Sequence, residues 1–138
     1  MTMNALNARA MGQYKQVGTK VGADSADPHQ LIVMLFDGVL ERIAVAKGAI
    51  QRNEIEEKGQ KIGRAIAIID GLRASLNKDL GGDIADNLDN LYEYMQRRLF
   101  DANLKSDIST LDEVADLLRE IKSAWMAISV DVRYAEHA

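Results

Sequence analysis

Three aspartates, Asp83, Asp86 and Asp89, recur at every third position. Carboxylate oxygens are the ligands that hard cations prefer, so this series is the first candidate for metal chemistry. Three residues at helical spacing supply too few oxygens and no loop carbonyls for such a cage. The same acids at the start of a helix complement its dipole and face solvent. The two histidines, His29 and His137, stand outside the Glu-x-x-His motif of a di-iron bundle. There is no His-Glu-x-x-His, no Walker A loop and no Gly-x-Gly-x-x-Gly. Gly81-Gly82-Asp83 has too few glycines, and no Lys-Ser/Thr follows to cradle phosphate. The serines, among them Ser25, Ser75 and Ser106, have no evident His–Asp partner. Cysteine is absent, which excludes disulfides, thiol catalysis and zinc–thiolate sites. Hence no catalytic residue, no metal ligand and no cofactor is expected. Arg97-Arg98 behind Tyr92 and Tyr94 offers a small basic, aromatic patch. Glu93 stands four residues before Arg97 and can pair with it. Two arginines would hold nucleic acid weakly, and a net charge of −4 leaves no basic footprint. No nucleic-acid partner is expected.

The elements that position these residues are helical. The chain of 138 residues has the size of one domain, and 47% apolar against 28% charged residues fits a globular fold rather than disorder. Leu111, Val114, Leu118, Ile121, Trp125, Ile128 and Val132 recur at alternating steps of three and four. Ile84, Leu88, Leu91, Met95, Leu99 and Ala102 recur at steps of three or four, and Ile55, Ile62, Ile66, Ile69, Leu72 and Leu76 at steps of seven, four, three, three and four. Each set makes one stripe on a helix with 3.6 residues per turn. No stretch alternates with period two, so no strand is expected. Asp27-Pro28, Asn53 with Glu56, Asp83 with Asp86, and Thr110 with Glu113 read as helix starts. The spacing predicts four helices near 28–52, 54–77, 84–105 and 110–133. Short connections make neighbours antiparallel, giving an all-α, up-and-down helical bundle over residues 25–138. Trp125 lies on the heptad stripe and is expected in the core. No apolar run approaches the roughly 18 residues of a membrane span, and no apolar signal core opens the chain. A cytoplasmic protein without membrane insertion is expected.

Two regions exceed what a bundle needs. Residues 1–24 carry Arg9, Lys15 and Lys20, no acid before Asp24, and a thin stripe of Leu6, Ala10, Tyr14, Val17 and Val21. Gly12, Gly18 and Gly22 each weaken a helix there by about 1 kcal/mol relative to Ala. Two readings stand: a conditional segment that is helical when docked, or a frayed tail with an ordinary fifth helix. The second region is Leu31-Ile32-Val33-Met34-Leu35-Phe36, an unbroken apolar run at the start of the first long helix. Either this helix is central in the bundle or part of it faces a partner. Tyr92, Tyr94 and Phe100 lie off the stripe of their helix, and six methionines add adaptable apolar surface. Together they suggest grooves between helices that accept an amphipathic segment.

At these residues the sequence resembles a known family, the flagellar secretion chaperones called FliS. The resemblance covers nearly the whole chain. It runs from Tyr14-Lys15-Gln16-Val17 through Asp27-Pro28-His29-Gln30 and the apolar run to Asp37-Gly38. It continues in Lys58-Gly59, Ile69-Asp70-Gly71-Leu72-Arg73-Ala74-Ser75-Leu76, and Gly81-Gly82-Asp83-Ile84. Leu91-Tyr92-Glu93-Tyr94-Met95, Ala102-Asn103 and Ser123-Ala124-Trp125 complete it.

The resemblance implies a cytoplasmic chaperone without catalysis or ATP. It implies two partners, the disordered C-terminal region of flagellin and the cytoplasmic domain of the export gate protein of the flagellar type III apparatus. Covering the apolar face of flagellin would keep it from polymerising early and deliver it for export. Residues 1–24 would be a mobile flap over the groove, with Leu6, Tyr14 and Val17 docking there or at the gate. Ile32, Phe36 and Val39 on the first long helix are the expected flagellin-binding residues, with Ile66 and Ile69 on the next, which could equally be core. The alternative is a structural adaptor or self-associating coiled coil, which the stripe over 111–132 favours.

Overall fold

Asp27 opens the first helix: its carboxylate accepts the Gln30 N–H at 2.8 Å, and Pro28 fills the first helical position. In the computed structural model, which describes residues 27–128, four helices follow. They are α1 (Pro28–Gln51), α2 (Ile55–Ala74), α3 (Lys78–Lys105) and α4 (Ile108–Ala127). Among the described residues there is no strand. The expected all-α bundle is therefore present. Leu6, Tyr14, Val17, the flap over 1–24 and Val132 lie outside the described residues.

Three helix starts differ from the sequence expectation. α2 is preceded by Glu54, which makes no side-chain cap, while Asn53 sits in the turn with φ of 57°. α3 begins earlier than expected, at Asn77, whose side chain accepts the Leu80 N–H at 3.1 Å. Asp83 is not a cap. The helix bends instead at Gly82, with φ 53° and ψ −128°, a conformation open to glycine alone without strain. α4 is capped by Asp107, which accepts from the Ser109 and Thr110 N–H groups. Thr110 lies buried in the first turn and donates its hydroxyl to Asp107 at 2.9 Å.

The helices form a ring. α1 packs against α2 and α4, and α3 packs against the same two from the other side. α1 and α2 approach most closely. Gly38, Ala46 and Ala49 of α1 and Ala65 and Gly71 of α2 are buried, small residues that suit a close approach of two helices. The core runs through Phe36, Val39, Ile43, Ile62, Ile69, Leu72, Met95, Leu99, Leu111, Val114 and Leu118. Trp125 closes one end. Its indole N–H donates to the His29 carbonyl at 3.3 Å, and its ring lies 5.3 Å from the His29 ring. The Leu111–Val114–Leu118–Trp125 stripe thus faces inward onto α1 and α3 rather than outward to a second copy.

The seams differ in chemistry. α1 and α4 are joined at the rim by ion pairs, Asp37 with Lys122 and Lys47 with Asp112. The α2–α3 seam is sealed by hydrogen bonds. Gln96 donates to the Ile66 carbonyl at 3.1 Å and to Asp70 at 2.8 Å. Arg73 spans to Asp89 and Gln96.

Candidate functional site

The five residues expected to line a groove fall into two groups. Ile32, Phe36, Val39 and Ile69 are fully buried in the core. α1 is covered by α2 on one side and α4 on the other, so its off-stripe face is core as well. Ile66 alone of the five is partly exposed, and it sits at the α2–α3 seam. There it lines a shallow recess of about 410 Å³ with Glu93, Tyr94, Gln96, Arg97 and Phe100.

Phe100 is 57% exposed and Leu104, one turn further along α3, is 70% exposed. Residues four apart lie on one helix face, so the two make a continuous apolar strip. Ile55 is also exposed, at the first position of α2. It belongs to the same end of the bundle, because Lys58 one turn later reaches Asn103 of α3. On α2, exposed Gly63 faces open space: a Cβ added there would meet nothing within 4 Å. This end of the bundle thus exposes three large apolar side chains, Ile55, Phe100 and Leu104.

Its rim is polar and pinned. The Tyr94 hydroxyl donates to Glu113 of α4, and Arg98 donates to the other oxygen of the same carboxylate at 2.9 Å. The Tyr94 hydrogen bond, with that from Arg98, holds the Glu113 carboxyl below its ordinary range. The same bond raises the Tyr94 phenol, whose proton the carboxylate holds. Arg97 lies over the Tyr94 ring, 5.9 Å from its centre, a cation–π contact. Arg73 and Asp89 hold one another charged at the opposite end of the seam, the arginine raised and the aspartate lowered chiefly by their mutual hydrogen bond.

Asp89, one member of the aspartate series, is paired with Arg73 and Lys78. Among the described residues, no three His, Asp or Glu side chains gather as metal ligands. Among the same residues, no helix is long and apolar enough to cross a membrane. What the arrangement offers is an apolar strip with charged borders, which can hold the apolar stripe of another helix.

A family model for the flagellar protein FliS matches residues 10–132. The chain belongs to the FliS family. FliS relatives cover nearly all of it. It is 53% identical to the flagellar secretion chaperone FliSB of Pseudomonas aeruginosa over 121 residues, which are 88% of this chain and 96% of that one. It is 42% identical to the flagellar secretion chaperone FliS of Salmonella typhimurium over 130 residues, 94% of this chain and 96% of the relative. With FliS of Bacillus subtilis the identity is 33% over 102 residues, 74% of this chain and 75% of the relative. The exposed strip of Phe100 and Leu104 is then the feature to explain. Phe100 stood out in the sequence as off-stripe. Ile55 did not, because it falls on a stripe, and Leu104, off the stripe like Phe100, carries the same signal.

Proposed function

We propose that this chain is a cytoplasmic flagellar secretion chaperone whose client is the disordered C-terminal region of flagellin. Membership of the FliS family carries this reading. The α2–α3 corner supports it physically, since Ile55, Phe100 and Leu104 expose apolar surface that a client stripe would cover. Burying apolar surface contributes about 25 cal/mol per Å². Ordering a disordered client opposes this, so binding stays reversible, as delivery requires. The chaperone covers the surface by which flagellin would polymerise and presents it to the export gate. No catalytic step and no cofactor is assigned to it.

Ile66 is the proposed client contact at the seam, with Ile32, Phe36, Val39 and Ile69 forming the rigid floor behind it. Residues 1–24 are the proposed mobile flap, and Leu6, Tyr14 and Val17 its docking residues, at the groove or at the cytoplasmic domain of the export gate protein.

The reading is tested by mixing the full chain with flagellin and with flagellin lacking its C-terminal region, then separating by size. A one-to-one complex with the first alone is expected. Equal binding of both, or of neither, would overturn the assigned client.

A further inference from the structure

Among the described residues Lys58 is a charged side chain that the bundle buries, with 6% of its surface exposed. Its ammonium donates to the Asn103 carbonyl at 2.9 Å and to the Ser106 hydroxyl at 2.9 Å. Asn103 is in the last turn of α3, where carbonyls lack a partner inside the helix. Ser106 follows in the left-handed conformation, φ 50° and ψ 48°, which costs energy for a residue with a side chain. Lys58 is therefore a cap for α3 supplied by a different helix. A cation at a helix C-terminus also suits the dipole.

Stability alone does not account for an ammonium here. Burying a charge against neutral oxygens costs desolvation, and an apolar side chain of similar length would fill the space without it. What the ammonium adds is a fixed geometry. It ties the first turn of α2, which carries Ile55, to the last turn of α3, which carries Leu104, with Phe100 one turn before it.

We propose that Lys58 is a positioning residue for client binding: it holds Ile55, Phe100 and Leu104 as one rigid apolar surface. This rests on the reading that the α2–α3 corner receives the client.

The test uses the full chain and a peptide of the flagellin C-terminal region. Lys58→Met, Lys58→Arg and Leu104→Asp are compared by calorimetric titration and by amide exchange over residues 100–107. Lys58→Met is expected to speed exchange in that turn and to weaken the peptide about tenfold, the scale of one hydrogen bond from a charged donor. Lys58→Arg restores part of both, because it keeps the donor charge. Leu104→Asp weakens binding without speeding exchange. If Lys58→Met leaves affinity unchanged while Leu104→Asp lowers it, Lys58 is structural only and the proposal falls. If Leu104→Asp also binds normally, the corner is not the client surface, and that reading fails instead. Should Lys58→Met not fold, Ser106→Ala removes one acceptor. It is expected to weaken the peptide a few-fold, and unchanged affinity would overturn the proposal.

Discussion

Arg73 at the end of α2 meets Asp89 of α3 through two contacts, Nε to Oδ1 at 2.7 Å and Nη2 to Oδ2 at 3.4 Å. Lys78 reaches the same carboxylate at 3.0 Å from the first turn of α3. One half-buried aspartate thus fastens both sides of the α2–α3 turn. A two-pronged guanidinium contact fixes direction as well as distance, which a lysine in place of Arg73 would not do.

Arg73→Met is expected to destabilise the bundle by about 1–2 kcal/mol at neutral pH, since it strands a half-buried carboxylate with Lys78 alone. The pH dependence has a definite sign. Hydrogen bonding from Arg73 lowers the folded Asp89 carboxyl, so its contribution is full above the unfolded aspartate value and is lost as pH falls through the lower folded value. The native chain should therefore lose more stability on acidification below about pH 4 than the variant, the two curves converging at the acid end. Denaturant titrations at several pH values check this; parallel curves would contradict it.

Two glycines should respond in opposite directions. At Gly82 a Cβ meets no neighbour, so the cost of Gly82→Ala is backbone strain at φ 53°, about 1–3 kcal/mol. At Gly63 a Cβ also meets nothing, but the backbone is helical, so Gly63→Ala should raise stability by about 0.5–1 kcal/mol. Thermal midpoints of the two variants give the comparison.

Core and surface should separate by which quantity they move. Ile69→Ala, inside the core, should cost about 2–5 kcal/mol of stability. Phe100→Ser should leave the unfolding midpoint within experimental scatter and weaken the flagellin segment. A large loss of stability in Phe100→Ser would mean that its ring serves the fold.

The proposed flap is tested at Tyr14. Tyr14→Ala should alter affinity for flagellin or for the cytoplasmic domain of the export gate while the bundle unfolds as before. Unchanged affinity for both would remove Tyr14 from either role.

Much of the fold is legible in the sequence because apolar spacing decides which helix face is buried. Leu111, Val114, Leu118 and Trp125 are buried as their spacing requires. Helix starts were less legible, since several polar residues compete for each cap. Asp107 outranks Thr110 by accepting two N–H groups, and Asn77 starts α3 ahead of the Gly82 bend. The candidate site was hardest to see. Tyr92 looked surplus on α3 yet is buried, because both flanking helices cover that side. Ile32, Phe36 and Val39 looked surplus on α1 for the same reason. A stripe marks what one neighbour covers, and the ring geometry decides what a second neighbour adds. Lys58-Gly59 carries part of the family resemblance, but the role of Lys58 is not legible there, since its partners Asn103 and Ser106 lie 45 and 48 residues away.

The central claim is most directly tested by calorimetric titration of the full chain with the C-terminal segment of flagellin from the same cell. The account predicts one-to-one binding with a negative heat-capacity change, from an apolar face buried as the segment orders. It also predicts that Phe100→Ser reduces the affinity. No heat and no complex would contradict the account, and the exposed strip of Phe100 and Leu104 would then belong to a different partner.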